Sequence, residues 1–222
     1  MQHPEAYPPA PWPLTGQMYS SVWWVPARSC TVSLDPELVP VQVAGRVCVA
    51  TVFVHYQPGS VLTYHELLGG LLVRHGRTGR TGLTVPFIWV DSASSKQGGR
   101  ELWGVPKELA RFEFDHHAPG GGFSGQAWDE SGRPLLSGHF SEGLGLPGSV
   151  RPKLALPSLQ PLRGQMHGAL ASIQSAPKVV RARYTVPPES PLAALGIAGR
   201  TPLMSTWLKD FRTLLQAATP LS

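Results

Sequence analysis

A chain of 222 residues carrying a net charge of +5 at pH 7 is long enough to build one sizeable core. Only 15% of its residues are charged, against about 25% in average domains, and the basic ones are scattered, which argues against a nucleic-acid surface. Its apolar runs are no longer than about Val47–Val54, far short of the ~20 residues that cross a bilayer as a helix, so no membrane role is expected.

In chain order, the N-terminus is polar and proline-rich, without the basic-then-apolar pattern of a secretory leader, and a soluble, cytoplasmic protein is the default expectation. Ser21–Val25, Val47–His55, Leu67–Val73 and Leu83–Val90 are short apolar runs, rich in β-branched or aromatic residues and bounded by Gly or Pro, and read as strands. Cys30 and Cys48 fall in strand-like surroundings with no CxxC spacing; two buried thiols are the plain reading, and the sequence leaves a disulfide open. Asp35-Pro36-Glu37-Leu38 has the N-cap and first-turn proline of a short helix. Arg74-His75-Gly76-Arg77-Thr78-Gly79-Arg80 reads as a solvated hairpin loop, with phosphate binding as its alternative.

Ala110–Asp115 alternates apolar and charged residues as a strand with one wet face does. Gly120-Gly121-Gly122 reads as a flexible hairpin turn, and Phe123–Trp128 and Leu135–Phe140 flank a second turn at Asp129–Gly132. Ser141–Gly145 together with Pro147–Pro161 reads as a long irregular connection, after which Lys178–Val186 alternates again. From Ser205 to Ala218 the spacing of Trp207, Phe211, Leu214, Leu215 and Ala218 predicts a C-terminal helix docked on the body or on a second copy. The pattern predicts a mainly β protein: a closed or sandwiched antiparallel domain over residues 1–222 with peripheral helices.

The stretch richest in chemistry is Gly98–Ala110, where Lys107 lies among Leu102, Trp103, Val105, Pro106, Leu109 and Ala110. Closed around an ammonium, such side chains disfavour its charged form, and full burial can lower a lysine pKa by about 3–5. A neutral amine attacks carbonyls and forms Schiff bases. A surface lysine after a turn proline is the plain alternative. Gly99-Arg100-Glu101-Leu102 followed by Gly104-x-Pro106-Lys107 resembles the signature of the acetoacetate decarboxylase family. Pro8–Gly16, Tyr64-His65-Glu66 and Trp89-Val90-Asp91 are similar to the family in order and spacing, over about residues 8–115.

The resemblance implies a closed β-barrel with a buried central cavity and a homo-oligomer. It also implies Schiff-base chemistry on a small-molecule carbonyl substrate, without cofactor or metal. Lys107 would be the nucleophile and Glu66 the group that moves the proton. Val105 and Trp89 are expected as apolar walls and Gln17 as a substrate contact. Three positions depart from the family pattern: Gln17 stands for an arginine, Thr51 for a glutamate and Glu108 for a second lysine. In an extended segment Glu108 faces away from Lys107. A glutamine offers neither the charge nor the fork with which a guanidinium grips a carboxylate, which makes acetoacetate a doubtful substrate. Neither His55, His65 and His75 with Glu66 nor His116-His117 has recognised metal-ligand spacing. The rival reading is a non-catalytic binding protein on the same fold.

Overall fold

The computed structural model describes residues 7–118, 122–141, 143–145 and 150–221. Strands β1 (Trp12–Pro26), β2 (Leu38–Pro40), β3 (Gln42–Val43), β4 (Arg46–Tyr56), β5 (Tyr64–His75) and β6 (Thr81–Val90) come first. The helix α1 (Ala93–Trp103) leads into β7 (Lys107–Ala118), β8 (Gly122–Asp129), β9 (Pro134–Phe140) and β10 (Leu144–Gly145). The remaining strands are β11 (Lys153–Leu162), β12 (Gln165–Val180), β13 (Ala182–Thr185), β14 (Met204–Leu215) and β15 (Thr219–Pro220).

Seven strands close a barrel in the order β6-β11-β12-β14-β1-β4-β5, with β5 pairing back to β6. An odd-membered ring cannot alternate direction all the way round. The parallel seam falls between β6 and β11, which among the described residues pair at Leu83 and Ser158 alone; the other six pairings are antiparallel. Beyond Val90 the chain crosses over through α1 and returns as β7, parallel to β6, as parallel neighbours require. From β7 an outer sheet, β7-β8-β9-β13, spreads over one side of the barrel.

This cover explains the apolar runs. Val49 and Phe53 of β4 pack outward into a core shared with Trp23, Leu67, Trp89 and Phe123, while Val54 and Tyr56 point into a second, inner cluster with Trp12, Trp103 and Phe211. A strand buried on both faces reads as continuous hydrophobicity rather than alternation.

Three expectations need correction. The C-terminal helix is the strand β14. Between Gly16 and Met18 of β1 it carries one residue too many, with Asp210 at φ 46°, and this bulge flips the side-chain parity. Leu208 and Phe211, three residues apart, consequently both face the inner cluster, a spacing that imitates a helix; as a strand, β14 removes the helical face from the argument for an oligomer. Asp35–Leu38 is a turn, closed by the Asp35 carboxylate accepting from the Glu37 amide at 2.9 Å, because Leu38 already pairs with His75 as a strand. The supposed irregular connection contains β10 and the barrel strand β11. Pro157 and Pro161 disguised β11; it has little ladder to lose, since its β6-facing edge is nearly unpaired.

Arg74–Arg80 spans the β5–β6 hairpin turn, with Arg77 paired to Glu37 at 3.2 Å. Cys30 and Cys48 are free thiols. Of the glycine turn, residues 120 and 121 lie outside the described residues, and Gly122 opens β8. Among the described residues no helix is long and apolar enough to cross a membrane.

Candidate active site

Alternation along β5 turns Tyr64, Glu66 and Leu68 into the barrel. On β6 the count is interrupted. Gly69 pairs with Phe87 and Leu71 with Thr84, so one extra residue is accommodated beside Pro86. After this bulge Ile88 faces inward and Trp89 faces the outer core.

Lys107 is the first residue of β7, and α1 is what sets it there. Ser92 caps the helix by accepting from the Ser95 amide at 3.1 Å. Gly104 ends it at φ 68°, where a Cβ would lie 2.3 Å from the Pro161 carbonyl oxygen, so only glycine fits. Gly99 serves differently. A Cβ there would lie 2.6 Å from Cδ of Lys107, so the bare backbone leaves room for the lysine stem. Gly99→Ala is expected to displace the lysine stem and to cost about 1–3 kcal/mol in urea denaturation. Unaltered stability would show that the stem has other room.

The Lys107 ammonium has all three donors engaged: Glu66 Oε2 at 2.8 Å, Ser95 Oγ at 2.9 Å and the Tyr64 hydroxyl at 3.4 Å. The other carboxylate oxygen, Glu66 Oε1, accepts from Tyr56 at 3.1 Å. Both partners are buried, Lys107 at 5% and Glu66 at 4% exposure, so their attraction is little screened by solvent. Burial pushes the Lys107 pKa down, but the Glu66 carboxylate and Tyr64 push harder the other way, and the net direction is up. The expected neutral, weakened base is therefore replaced by a charged lysine in a buried ion pair. Burial also raises Tyr64 to about 12 and Tyr56 well above its ordinary range, so both stay protonated at neutral pH.

The pair opens onto a cavity of about 200 Å³ walled by apolar side chains including Trp12, Val54, Val85 and Val105. At about 30 Å³ of liquid volume per water, that is room for some seven waters or one small metabolite. Lys107, Glu66 and Val105 thus meet, whereas Trp89 and Gln17 do not join them. Gln17 lies on the opposite face of β1, accepting from Trp207 Nε1 at 2.9 Å and donating to Asp210 at 2.8 Å. Thr51 accepts from Trp23 Nε1 at 3.0 Å on the outer face of β4, and Glu108 faces out to Lys96 and Arg100. Sequence reasoning missed Ser95 and Tyr56 as partners of the pair. The consecutive glycines Gly98 and Gly99 in a helical segment were the available signal of a close approach.

The histidines gather elsewhere. His55 Nδ1 and His116 Nε2 lie 3.1 Å apart, His65 is paired with Asp91 at 2.6 Å, and the His55 and His65 rings are 4.4 Å apart. His75 stands apart from them, bonded to Thr78 at 2.8 Å. Among the described residues no group of three or more His, Cys, Asp or Glu is arranged to hold a metal ion. Burial, then His65 and His116, push His55 from 6.5 down to about 4. Folded His55 binds its proton more weakly than unfolded His55, so its contribution is intact above pH 6.5 and lost as pH falls toward 4. Urea titrations at pH 7 and pH 4.5 should show wild type losing about 1–2 kcal/mol more than His55→Asn, a range reduced for the solvent reaching the ring. Equal losses would contradict this.

The family model described as acetoacetate decarboxylase (ADC) matches residues 1–185. The search of curated proteins gives no match. Among solved structures, an acetoacetate decarboxylase from Legionella pneumophila has TM-score 0.76 at 16% identity, covering 100% of this chain and 92% of its own. The enduracididine biosynthesis enzyme MppR complexed with pyruvate has TM-score 0.67 at 19% identity, covering 97% and 91%. An acetoacetate decarboxylase-like enzyme from Sphingomonas wittichii RW1 has TM-score 0.64 at 16% identity, covering 96% and 93%.

Proposed function

We infer the function from one premise: the chain belongs to the acetoacetate decarboxylase family. On our reading it is a Schiff-base-forming carbon–carbon lyase that acts on a small carbonyl compound, with Lys107 as nucleophile and Glu66 as the proton-handling group. The observation that carries this is the buried Lys107–Glu66 pair, 2.8 Å apart at an apolar cavity.

The raised basicity of Lys107 is compatible with attack because the proton has somewhere to go. Transfer from Nζ to Glu66 Oε2 gives a neutral amine and a neutral acid, leaving the net charge of the pair at zero. The amine attacks the carbonyl carbon as the C=O electrons move to oxygen, and that oxygen takes the proton from Glu66. The nitrogen then returns a proton to Glu66, which passes it to the hydroxyl leaving as water. The product is an iminium beside a carboxylate, the same charge arrangement as at the start. The carboxylate that holds the ammonium thus also stabilises the iminium, an electrostatic fit to the intermediate.

The iminium is the electron sink. A bond adjacent to the former carbonyl carbon breaks with its electrons moving to nitrogen. In an aldol-type cleavage the Glu66 carboxylate takes the proton of the β-hydroxyl as that carbon leaves as an aldehyde or ketone, and returns it to the enamine carbon. After loss of carbon dioxide the proton comes instead from solvent by way of Glu66. Of the lysine's three donors only one N–H remains in the iminium, which frees the Ser95 and Tyr64 hydroxyls to bond substrate oxygen. MppR was solved with pyruvate, a small carbonyl compound of the class proposed.

One observation favours the rival, a non-catalytic binding protein: every Lys107 donor is already satisfied. Borohydride added with a small diketone separates the two. Reductive labelling confined to Lys107 supports the lyase; labelling spread over surface lysines, with Lys107 unmodified from pH 6 to 9, favours the rival. On family resemblance alone we also propose a homo-oligomer, which sedimentation showing only monomer at micromolar concentration would remove.

A further inference from the structure

The polar side chains that line the cavity are Tyr56, Tyr64, Glu66, Lys107, Ser158 and Thr213. Five have protein partners. Tyr56 donates to Glu66, Lys107 donates to Glu66 and Tyr64, and Ser158 donates to the Ala169 carbonyl at 3.4 Å. The sixth does not: Thr213 Oγ1 is buried with no hydrogen-bond partner among the described residues. Its register neighbours, Leu14 on β1 and Ile173 on β12, also line the cavity and offer only hydrocarbon. Buried hydroxyls are rarely left unpaired, and Thr213 lines the cavity, so a turn about its χ1 brings the orphan hydroxyl to where a ligand atom can bond it.

The charges constrain the ligand further. Lys107 is the only cationic side chain lining the cavity among the described residues, and Glu66 already neutralises it. The iminium inherits that same counterion. A substrate carboxylate would enter an apolar space as an unpaired negative charge, which low-dielectric surroundings strongly oppose.

We infer that the substrate is an uncharged carbonyl compound with an apolar body and one further hydrogen-bonding group, and that Thr213 reads that group. This rests on the Schiff-base reading of the same site and narrows it. Decarboxylation needs a carboxylate in the cavity, whereas aldol-type cleavage and dehydration do not.

Three probes of similar size test it: 4-hydroxy-2-butanone, its near-isostere 2-pentanone, and acetoacetate. Binding is measured by calorimetry, and capture at Lys107 separately by borohydride and mass spectrometry. Both neutral ketones should bind wild type at least about tenfold more tightly than acetoacetate. In Thr213→Val the ratio of hydroxyketone to pentanone affinity should fall about 5–10-fold with 2-pentanone unchanged, and Thr213→Ser should retain the wild-type ratio. Acetoacetate binding as tightly as the ketones, or a ratio unmoved in Thr213→Val, overturns the inference even if Lys107 is captured. The predicted binding pattern without any capture at Lys107 supports the ligand class and removes the Schiff-base reading instead.

Discussion

Lys107→Ala is expected to bring turnover of any carbonyl substrate down by at least about 10⁴-fold, the scale on which a lone covalent nucleophile is lost. The same change should also destabilise the protein, because it leaves Glu66 buried without its cation at 4% exposure. Breaking one side of a buried pair costs about 3–5 kcal/mol, reduced here by whatever protonation of Glu66 relieves. Replacing both partners separates the two effects. Lys107→Met with Glu66→Leu should be at least as stable as wild type, since well-packed apolar groups often match or exceed a buried ion pair. It should nevertheless be inactive. Urea denaturation of wild type, single and double variants measures this, and a double variant less stable than Lys107→Ala would mean that the pair is kept for the fold rather than for chemistry.

Glu66→Gln has the second large effect, and its sign is informative. In wild type, burial lowers the basicity of Lys107, and the Glu66 carboxylate together with Tyr64 more than restores it. With a neutral amide in its place burial acts with less opposition, and the lysine gives up its proton at lower pH. Borohydride capture at Lys107 should therefore persist, with its pH profile moved to lower pH. Turnover should fall about 10²–10⁴-fold, because the enamine has lost its proton donor. A capture profile that stays where it is in wild type would show that Glu66 does not govern the lysine.

The parts of the site that the sequence exposed are those carried by short, contiguous stretches. Tyr64-His65-Glu66 and Gly104-x-Pro106-Lys107 are local, and strand alternation places Glu66 and Lys107 inside once their strands are drawn. What stayed hidden depends on pairing between distant segments. Trp89 is next to Val90 in sequence, yet the extra residue at Pro86 turns it away from the cavity, and only the β5–β6 register reveals that. The bulge at Asp210 made β14 resemble a helix for the same reason: one inserted residue changes a period of two into an apparent period of three. Prolines in β11 spoke against a strand because the parallel seam, where a missing N–H is harmless, is a property of the closed ring. Thr213 belongs to no motif; its significance comes from an unpaired hydroxyl between Leu14 and Ile173. The charge of Lys107 also depended on contact. Local composition indicated desolvation, but the opposing carboxylate comes from 41 residues away in the chain.

The central claim is that Lys107 converts a bound carbonyl compound to an iminium, and oxygen exchange tests it most directly. Iminium formation expels the carbonyl oxygen as water, and hydrolysis restores it from solvent. A neutral ketone incubated with the protein in ¹⁸O-labelled water should therefore acquire the label far faster than without protein, at a rate abolished in Lys107→Ala and preserved in Thr213→Ser. Binding of the ketone by wild type with no acceleration of exchange would contradict the claim, whatever other reaction the cavity supports.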